Sequence, residues 1–413
     1  MVESASLRQP TTGAERLNRR WDLVVIGIIV YTCLGTIYSW SVFRTPLEAA
    51  LGLTPAQSGL PYSTFLATFA FSMPLAGAAV QRLGTRPILL LGGVLVGIGW
   101  VGAGLAGGSA TLIAMYGLFG GLGVGLAYGV PLVVVSDWFP QRRGLAMGLT
   151  LAGFGVSPFV TARVAEVLIG RLGVRTAMIA LGVSFAVVVA AFVPWFKLRV
   201  VSNGAAAAAG HTDAPSVDLS PRRMLRSARF YALWICFAIG TLSGLTAIGM
   251  TASFAQRIVG LSASAAAATV AAFGVLNGIG RPIFGSVHDR LGPRTTLIAA
   301  HALVAVGAAV AAGAENGGTM SFFVGFGVLW LMLGGWLAIA PAATMELFGA
   351  RHYARNYGIM YTAYGVGALA GGGIAAGVYR STGSYRALFV AILVLCAVGI
   401  AFAAVAFGKR RAG

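Results

Sequence analysis

Charge is what this chain has least of. Only 10% of its 413 residues are charged, with just 11 acidic side chains, where soluble domains carry about 25% charged residues. So few charges cannot cover a water-facing surface, which excludes a soluble enzyme. A composition that is 58% hydrophobic excludes a disordered or collagen-like chain. Lysine is nearly missing, present only at Lys197 and Lys409. The three cysteines, Cys33, Cys236 and Cys396, sit inside separate apolar runs. That spacing suits neither a metal motif nor a disulfide framework, so they read as packing residues and no metal is expected. There is no HExxH, no phosphate-cradling Gly-Lys-Ser loop and no pair of carboxylates on one helix. No catalytic residue and no cofactor is therefore expected, and the missing nucleotide motif argues against a primary pump.

What the chain does have is length of apolar run. Its mean hydropathy is +0.84, and glycine, at 59 residues, is roughly twice its average usage, as suits helices packed closely in lipid. About 20 apolar residues cross the roughly 30 Å hydrocarbon core. Twelve runs qualify: 21–43, 59–80, 87–107, 110–136, 144–168, 173–196, 230–254, 262–286, 295–315, 319–343, 356–378 and 385–408. The first follows about twenty polar residues and has no A-x-A cleavage pattern after it, so it reads as a retained helix. The fold class expected is an all-α integral membrane protein: an N-terminal tail 1–20, six spans in 21–196, a linker 197–229, six spans in 230–408 and a tail 409–413.

The net charge of +18 does not point to nucleic acid, because the basic residues are scattered through short segments between the runs. With the N-terminus inside, 21 of the 29 fall in cytoplasmic segments, 6 in outer loops (Arg44, Arg171, Arg175, Arg257, Arg380, Arg386) and 2 within spans, Arg163 and Arg281. That asymmetry places both termini in the cytoplasm. The linker holds an alanine tract from Ala205 to Ala209 and the basic stretch Pro221-Arg222-Arg223. Its basic cluster reads as a topogenic face near anionic lipid rather than a specific lipid site.

The two halves repeat. Gly77-x-x-x-Gln81-Arg82-x-Gly84-x-Arg86 follows the second span, and Gly285-x-x-x-Asp289-Arg290-x-Gly292-x-Arg294 follows the eighth. Asp137-Trp138-Phe139 and Glu346-Leu347-Phe348 echo one another after spans four and ten. The first glycine of each motif is expected to let helices approach and the second to permit a left-handed turn. Over nearly its whole length the chain resembles the major facilitator superfamily. The resemblance implies two six-helix bundles related by a pseudo-two-fold axis, a site between them and alternating access by rocking. The N-terminal motif departs from the family pattern in having Gln81 where Asp is usual.

Three further stretches narrow the resemblance: Ile37-Tyr38-Ser39-Trp40-Ser41-Val42-Phe43, Trp138-Phe139-Pro140-Gln141-Arg142-Arg143-Gly144-Leu145-Ala146, and Asn356-Tyr357-Gly358 leading into Tyr361-Thr362-Ala363-Tyr364-Gly365. They look like the oxalate/formate antiporter family, which includes bacterial monocarboxylate transporters. Arg281 is the informative residue. A charge within a span is costly and by default marks function, and its planar fork binds a carboxylate bidentately. The alternative is that it snorkels to the surface near Arg290; the resemblance implies a carboxylate-binding Arg in this helix. Asn277, one turn earlier, offers amide donors but cannot titrate. Tyr357, Tyr361 and Tyr364 share one helix face; Tyr38, Tyr128, Tyr361 and Tyr364 are the expected liners of a small polar cavity, while Tyr116 and Tyr357 read as structural or interfacial. Arg163 and Glu166 read as a local ion pair. His301, among the few titratable groups at depth, is the candidate for proton coupling, against the alternative of a packing histidine.

The function expected is a secondary transporter of a small monocarboxylate of the lactate, pyruvate, acetate or formate type, coupled to a proton. The alternative is an anion exchanger of the oxalate/formate type. Dicarboxylate-exchanging relatives are read as placing a Lys within the Tyr-Thr-Ala-x-Gly motif, where this chain has Tyr364. A membrane enzyme of lipid chemistry would show clustered acidic metal ligands, which are missing, and no extra soluble domain supports a sensor. The partners expected are the small carboxylate, a proton or counter-anion and membrane lipid, with no nucleic acid; a monomer in a bacterial cytoplasmic membrane is expected.

Overall fold

The computed structural model describes residues 13–139, 143–198, 218–316, 318–349 and 352–407. Expectations that fall on the terminal tails, the alanine tract, Arg142 and Arg351 lie outside the described residues.

Among the described residues ten helices are long and apolar enough to cross a membrane, and there is no strand. Two of the ten, Ala146–Trp195 and Ala263–Ala312, run for 50 residues each. At 1.5 Å per residue that is roughly 75 Å, far more than one membrane thickness. Each is broken by a glycine in a non-helical conformation, Gly173 (φ 78°, ψ 160°) and Gly292 (φ 69°, ψ 175°). Among the described residues the count of crossing segments is therefore twelve. They are α1 (Trp21–Leu51), α2 (Pro55–Val80), α3 (Thr85–Gly104), α4 (Ser109–Val135), α5 (146–172), α6 (174–195), α7 (Ala228–Arg257), α8 (263–291), α9 (293–312), α10 (Thr319–Phe348), α11 (Arg355–Thr382) and α12 (Arg386–Ala406).

Packing shows that Gly292 reverses the chain. Asn277 meets Trp330 and Phe284 meets Gly335, so α8 runs beside α10 in the same direction. Ala311 meets Gly325 and Gly307 meets Val328, so α9 runs against α10.

The first span is longer than its hydropathy suggests, reaching Leu51. Arg44, expected in an outer loop, is instead a helix residue only 9% exposed, so a third arginine belongs to the spans. The repeated motifs also differ from expectation. Gly84 (φ 86°, ψ 172°) and Gly292 adopt the same backbone state, beyond the left-handed helical region and open essentially to glycine alone. A methyl at Gly77 would meet nothing within 4 Å, and at Gly285 only Ala338 at 3.9 Å, so no close helix approach requires the first glycine. Arg86 donates to the Pro194 carbonyl and the Thr85 hydroxyl to that of Phe196 at 2.6 Å, which ties α3 to the end of α6. Arg82, Asp289, Arg290 and Arg294 are exposed at this same end, called here the linker end.

The two halves meet along two seams. On one, α2 lies against α11 through Ser63 and Gly372, Ala67 and Gly365, and Pro74 and Gly358. On the other, α5 lies against α8 through Arg163 and Ser264, Gly155 and Asn277, and Leu151 and Arg281. Both seams thus carry contacts toward the linker end and toward the opposite end.

Candidate functional site, a buried arginine among tyrosines

Arg281 sits where α8 crosses α5 on glycine. A Cβ on Gly155 would lie 2.9 Å from both Asn277 Oδ1 and Gly278 Cα, so the two backbones touch there and side chains one turn away are pressed into the seam. Arg281 is 6% exposed, and its Nη1 donates to the Leu151 carbonyl of α5 at 3.0 Å. It does not snorkel. Its Nε and Nη2 are buried without a hydrogen-bond partner, and among the described residues no carboxylate forms an ion pair with it. A buried guanidinium without a counter-charge is an unstable arrangement that an anion would relieve.

Tyrosines gather near Arg281. Tyr31, Tyr38, Tyr128, Tyr357 and Tyr361 all lie within electrostatic reach of Arg281. Tyr128 lies near Arg281, with its ring 6.2 Å from that of Tyr361. The Tyr38 and Tyr364 hydroxyls share a hydrogen bond of 3.0 Å that joins α1 of one half to α11 of the other. Tyr361 and Tyr364 stack at 4.9 Å, the consequence of their three-residue spacing on α11. Tyr31 donates to the backbone carbonyl of Tyr128 at 2.5 Å, which fixes α1 against α4.

The structure therefore brings Arg281, Tyr38, Tyr128, Tyr361 and Tyr364 into one cluster. Asn277 is adjacent, but its amide Nδ2 donates to the Trp330 carbonyl at 3.1 Å and its Oδ1 faces Gly155. Its donor is turned into the packing of α8 on α10, not toward the tyrosines. His301 is elsewhere. Its Nδ1 lies 2.8 Å from the Leu297 carbonyl, and its ring is wedged between Trp336 at 4.8 Å and Gly399. All these neighbours belong to the C-terminal half, so the geometry supports packing and not the expected coupling role. Arg163 and Glu166 do pair, at 3.3 Å, and Arg163 also donates to the carbonyl and hydroxyl of Ser264 across the seam. Tyr116 is fully buried against Trp40, Phe65 and Trp100, a structural place.

Two features escaped the sequence. Phe154 and Phe69 form the apolar wall of the cluster, with Phe154 5.2 Å from Tyr38 and 5.4 Å from Tyr128, and Phe69 5.5 Å from Tyr361. Nothing in an apolar run distinguishes such a phenylalanine from one facing lipid. The second is Glu48, a carboxylate 8% exposed near the end of α1. Its signal was present, since a lone acid four residues after Arg44 cannot remain in an apolar environment unpaired.

Twelve crossing segments in two halves, closing on a buried cation at their seam, define by class a multi-pass membrane transporter. The sequence profile of the Major Facilitator Superfamily matches residues 23–345 and again 244–413. The chain belongs to the Major Facilitator Superfamily. It is 29% identical over 412 residues to the oxalate:formate antiporter of Oxalobacter formigenes, covering 98% of this chain and 96% of that protein. It is 24% identical over 453 residues to apicoplast pyruvate carrier 1 of Toxoplasma gondii, covering 84% and 82%. Monocarboxylate transporter 13 of Rattus norvegicus is 32% identical over 159 residues, covering 38% and 37%. Among solved structures, a bacterial homolog of the human lysosomal transporter Spinster, inward-facing and unoccupied, superposes with a TM-score of 0.71 at 18% identity, covering 94% of this chain and 97% of that one. At that identity the likeness concerns the fold.

Proposed function

We propose that this chain is a secondary transporter of short monocarboxylates, of the lactate, pyruvate, acetate or formate type, working by alternating access between its two halves. The observation that carries this is Arg281, with two unpartnered donors buried at the seam. A carboxylate placed between Arg281 and Tyr128 would take a charge-assisted, bidentate pair of bonds. The Tyr38 and Tyr364 hydroxyls, now bonded to each other, would turn to the anion's second oxygen or its substituent. Because they belong to different halves, a ligand that engages both helps to hold the halves together, and its departure frees them to rock. The similarity to a pyruvate carrier and to monocarboxylate transporters supports the substrate class.

Charge supports a monoanion. The resemblance to the oxalate/formate antiporter family implies that a dianion site would carry its second cation where this chain has Tyr364, and both lysines lie outside the apolar runs. A dianion would leave one carboxylate unpaired in a poorly solvated cluster, at several kcal/mol. The similarity to an oxalate:formate antiporter favours the second reading, exchange of anions including a dicarboxylate. The basic residues support an orientation with the linker end facing the cytoplasm of a bacterial cell, so that the opposite end is the outer one. Counterflow of labelled monocarboxylate in proteoliposomes, competed by oxalate, decides between the two. Uptake blocked by lactate, pyruvate, acetate or formate is expected, and stronger inhibition by oxalate would overturn the monoanion assignment. Uptake measured with an imposed pH gradient, with and without internal anion, identifies the coupling species.

A further inference from the structure

Arg281 and Phe154 meet the same turn of α5. Arg281 Nη1 donates to the Leu151 carbonyl at 3.0 Å, and Phe154 lies three residues further along that helix. The Phe154 side chain is buried, 1% exposed, and its ring touches two of the tyrosines in the cluster. The ring centroid is 5.2 Å from that of Tyr38 on α1 and 5.4 Å from that of Tyr128 on α4, with an interplanar angle of 84° in both pairs. Tyr31 at 6.1 Å and Phe69 at 6.2 Å are its further ring neighbours. Edge-to-face rings this close are in contact, so no methyl-sized gap separates Phe154 from Tyr38 or from Tyr128.

Phe154 is also fixed in place. A Cβ on Gly35 would lie 2.5 Å from the Phe154 carbonyl oxygen and 3.0 Å from its Cα, so α1 and α5 touch at this residue. A Cβ on Gly153 would lie 2.6 Å from the Ile28 carbonyl oxygen, and one on Gly27 would lie 2.6 Å from the Thr150 methyl. The two helices are therefore in backbone-close contact along the stretch that carries the ring. Tyr38, Tyr128, Tyr31 and Phe69 all belong to the N-terminal half, so this wall keeps its shape when that half rocks against the other. Phe69 differs, because its ring also meets Tyr361 and Tyr364 of α11 across the seam, at 5.5 and 5.8 Å.

We propose that Phe154 is the size filter of the site, limiting the group attached to the carboxylate to about an acetyl or hydroxyethyl and rejecting branched 2-oxo acids. The inference rests on the function proposed above. An anion that takes Arg281 and Tyr128 directs its substituent toward Tyr38 and Tyr364, whose hydroxyls turn to meet it. Turning those hydroxyls clears room for a small group. A branched chain needs more, and the ring that both Tyr38 and Tyr128 touch is in its way. Because Phe154 is held by its own half, it does not yield as the seam opens. The ring also carries no hydrogen-bonding group, so it accepts a methyl and leaves a second carboxylate without a partner.

A filter and a mere packing residue differ in selectivity. Loosened packing weakens every acid alike, whereas a removed filter changes the ratio between large and small ones. The experiment measures counterflow, in proteoliposomes, of whichever labelled acid among lactate, pyruvate, acetate and formate the wild type moves fastest. Formate, pyruvate and 2-oxoisovalerate serve as competitors. The wild type is expected to be inhibited at least about tenfold more weakly by 2-oxoisovalerate than by pyruvate. Each methylene buried on apolar surface is worth about fourfold in affinity, and 2-oxoisovalerate exceeds pyruvate by two carbons. Phe154→Ala should therefore lower the ratio of their inhibition constants by about tenfold or more. Formate has no substituent to reach the ring, and its constant should stay within about threefold of wild type. Phe154→Leu, which keeps an apolar side chain on the tyrosines, gives a smaller change of the same sign and serves if the alanine variant does not reconstitute. Equal inhibition of the wild type by pyruvate and 2-oxoisovalerate would overturn the filter, a test that needs no variant. So would a ratio unchanged in the variants, or all three competitors weakening together. A wild type that moves none of the four labelled acids instead refutes the proposed function.

Discussion

Arg281→Lys tests the central assignment with little structural disturbance. The positive charge is kept, and the ammonium can still reach the Leu151 carbonyl that Arg281 Nη1 holds at 3.0 Å. What is lost is the planar fork, because the two unpartnered nitrogens, Nε and Nη2, are replaced by nothing. A carboxylate that gained a bidentate pair from arginine gains at most one bond from lysine. One hydrogen bond to a charged group contributes about 1.5–3 kcal/mol, and each 1.4 kcal/mol is tenfold in affinity. The KM for monocarboxylate uptake should therefore rise roughly ten- to a hundredfold. Initial rates in proteoliposomes measure this, with gel-filtration behaviour and thermal unfolding as the check on folding. A well-folded lysine variant whose KM stays within about threefold of wild type would falsify the bidentate assignment.

Further outcomes follow from the same geometry. Tyr364→Lys puts a second cation beside Tyr38, 3.0 Å from the hydroxyl it replaces; monocarboxylate uptake should weaken and oxalate should become the stronger competitor in the counterflow assay. Gly292→Ala forces a side chain into a backbone state reserved for glycine and should destabilise the protein by about 1–3 kcal/mol. Gly77→Ala, where a methyl meets nothing within 4 Å, should be neutral or stabilising by up to about 1 kcal/mol; comparable losses in thermal unfolding for both would refute the turn argument. His301→Gln should lower thermal stability, because its ring packs on Trp336, and should leave the pH profile of uptake unchanged; an altered profile would restore His301 as a coupling group.

The architecture was legible because lipid imposes one rule on every span. The twelve apolar runs became twelve segments, and the repeated motifs mark equivalent turns at Gly84 and Gly292. Span ends were less legible, since hydropathy falls at Arg44 and Glu48 while the helix continues to Leu51. Those two charges stay in the helix because they satisfy each other, Ser58 and Arg257, which only tertiary contact reveals. For the site, Arg281 and the four tyrosines stood out because polar atoms within an apolar run need a reason. Asn277 stood out for the same reason, yet its donor serves the Trp330 carbonyl. A sequence shows that a buried amide must be satisfied, not which neighbour satisfies it.

Two groups of arginines where the halves meet differ in what accompanies them. Arg281 has no carboxylate partner, so the cluster that holds it is incomplete until an anion arrives. Arg44 and Arg257 share Glu48, so the arginines at the end opposite the linker already have a counter-charge. A cation left unpaired inside the protein favours binding, and a cation paired across the halves favours closure.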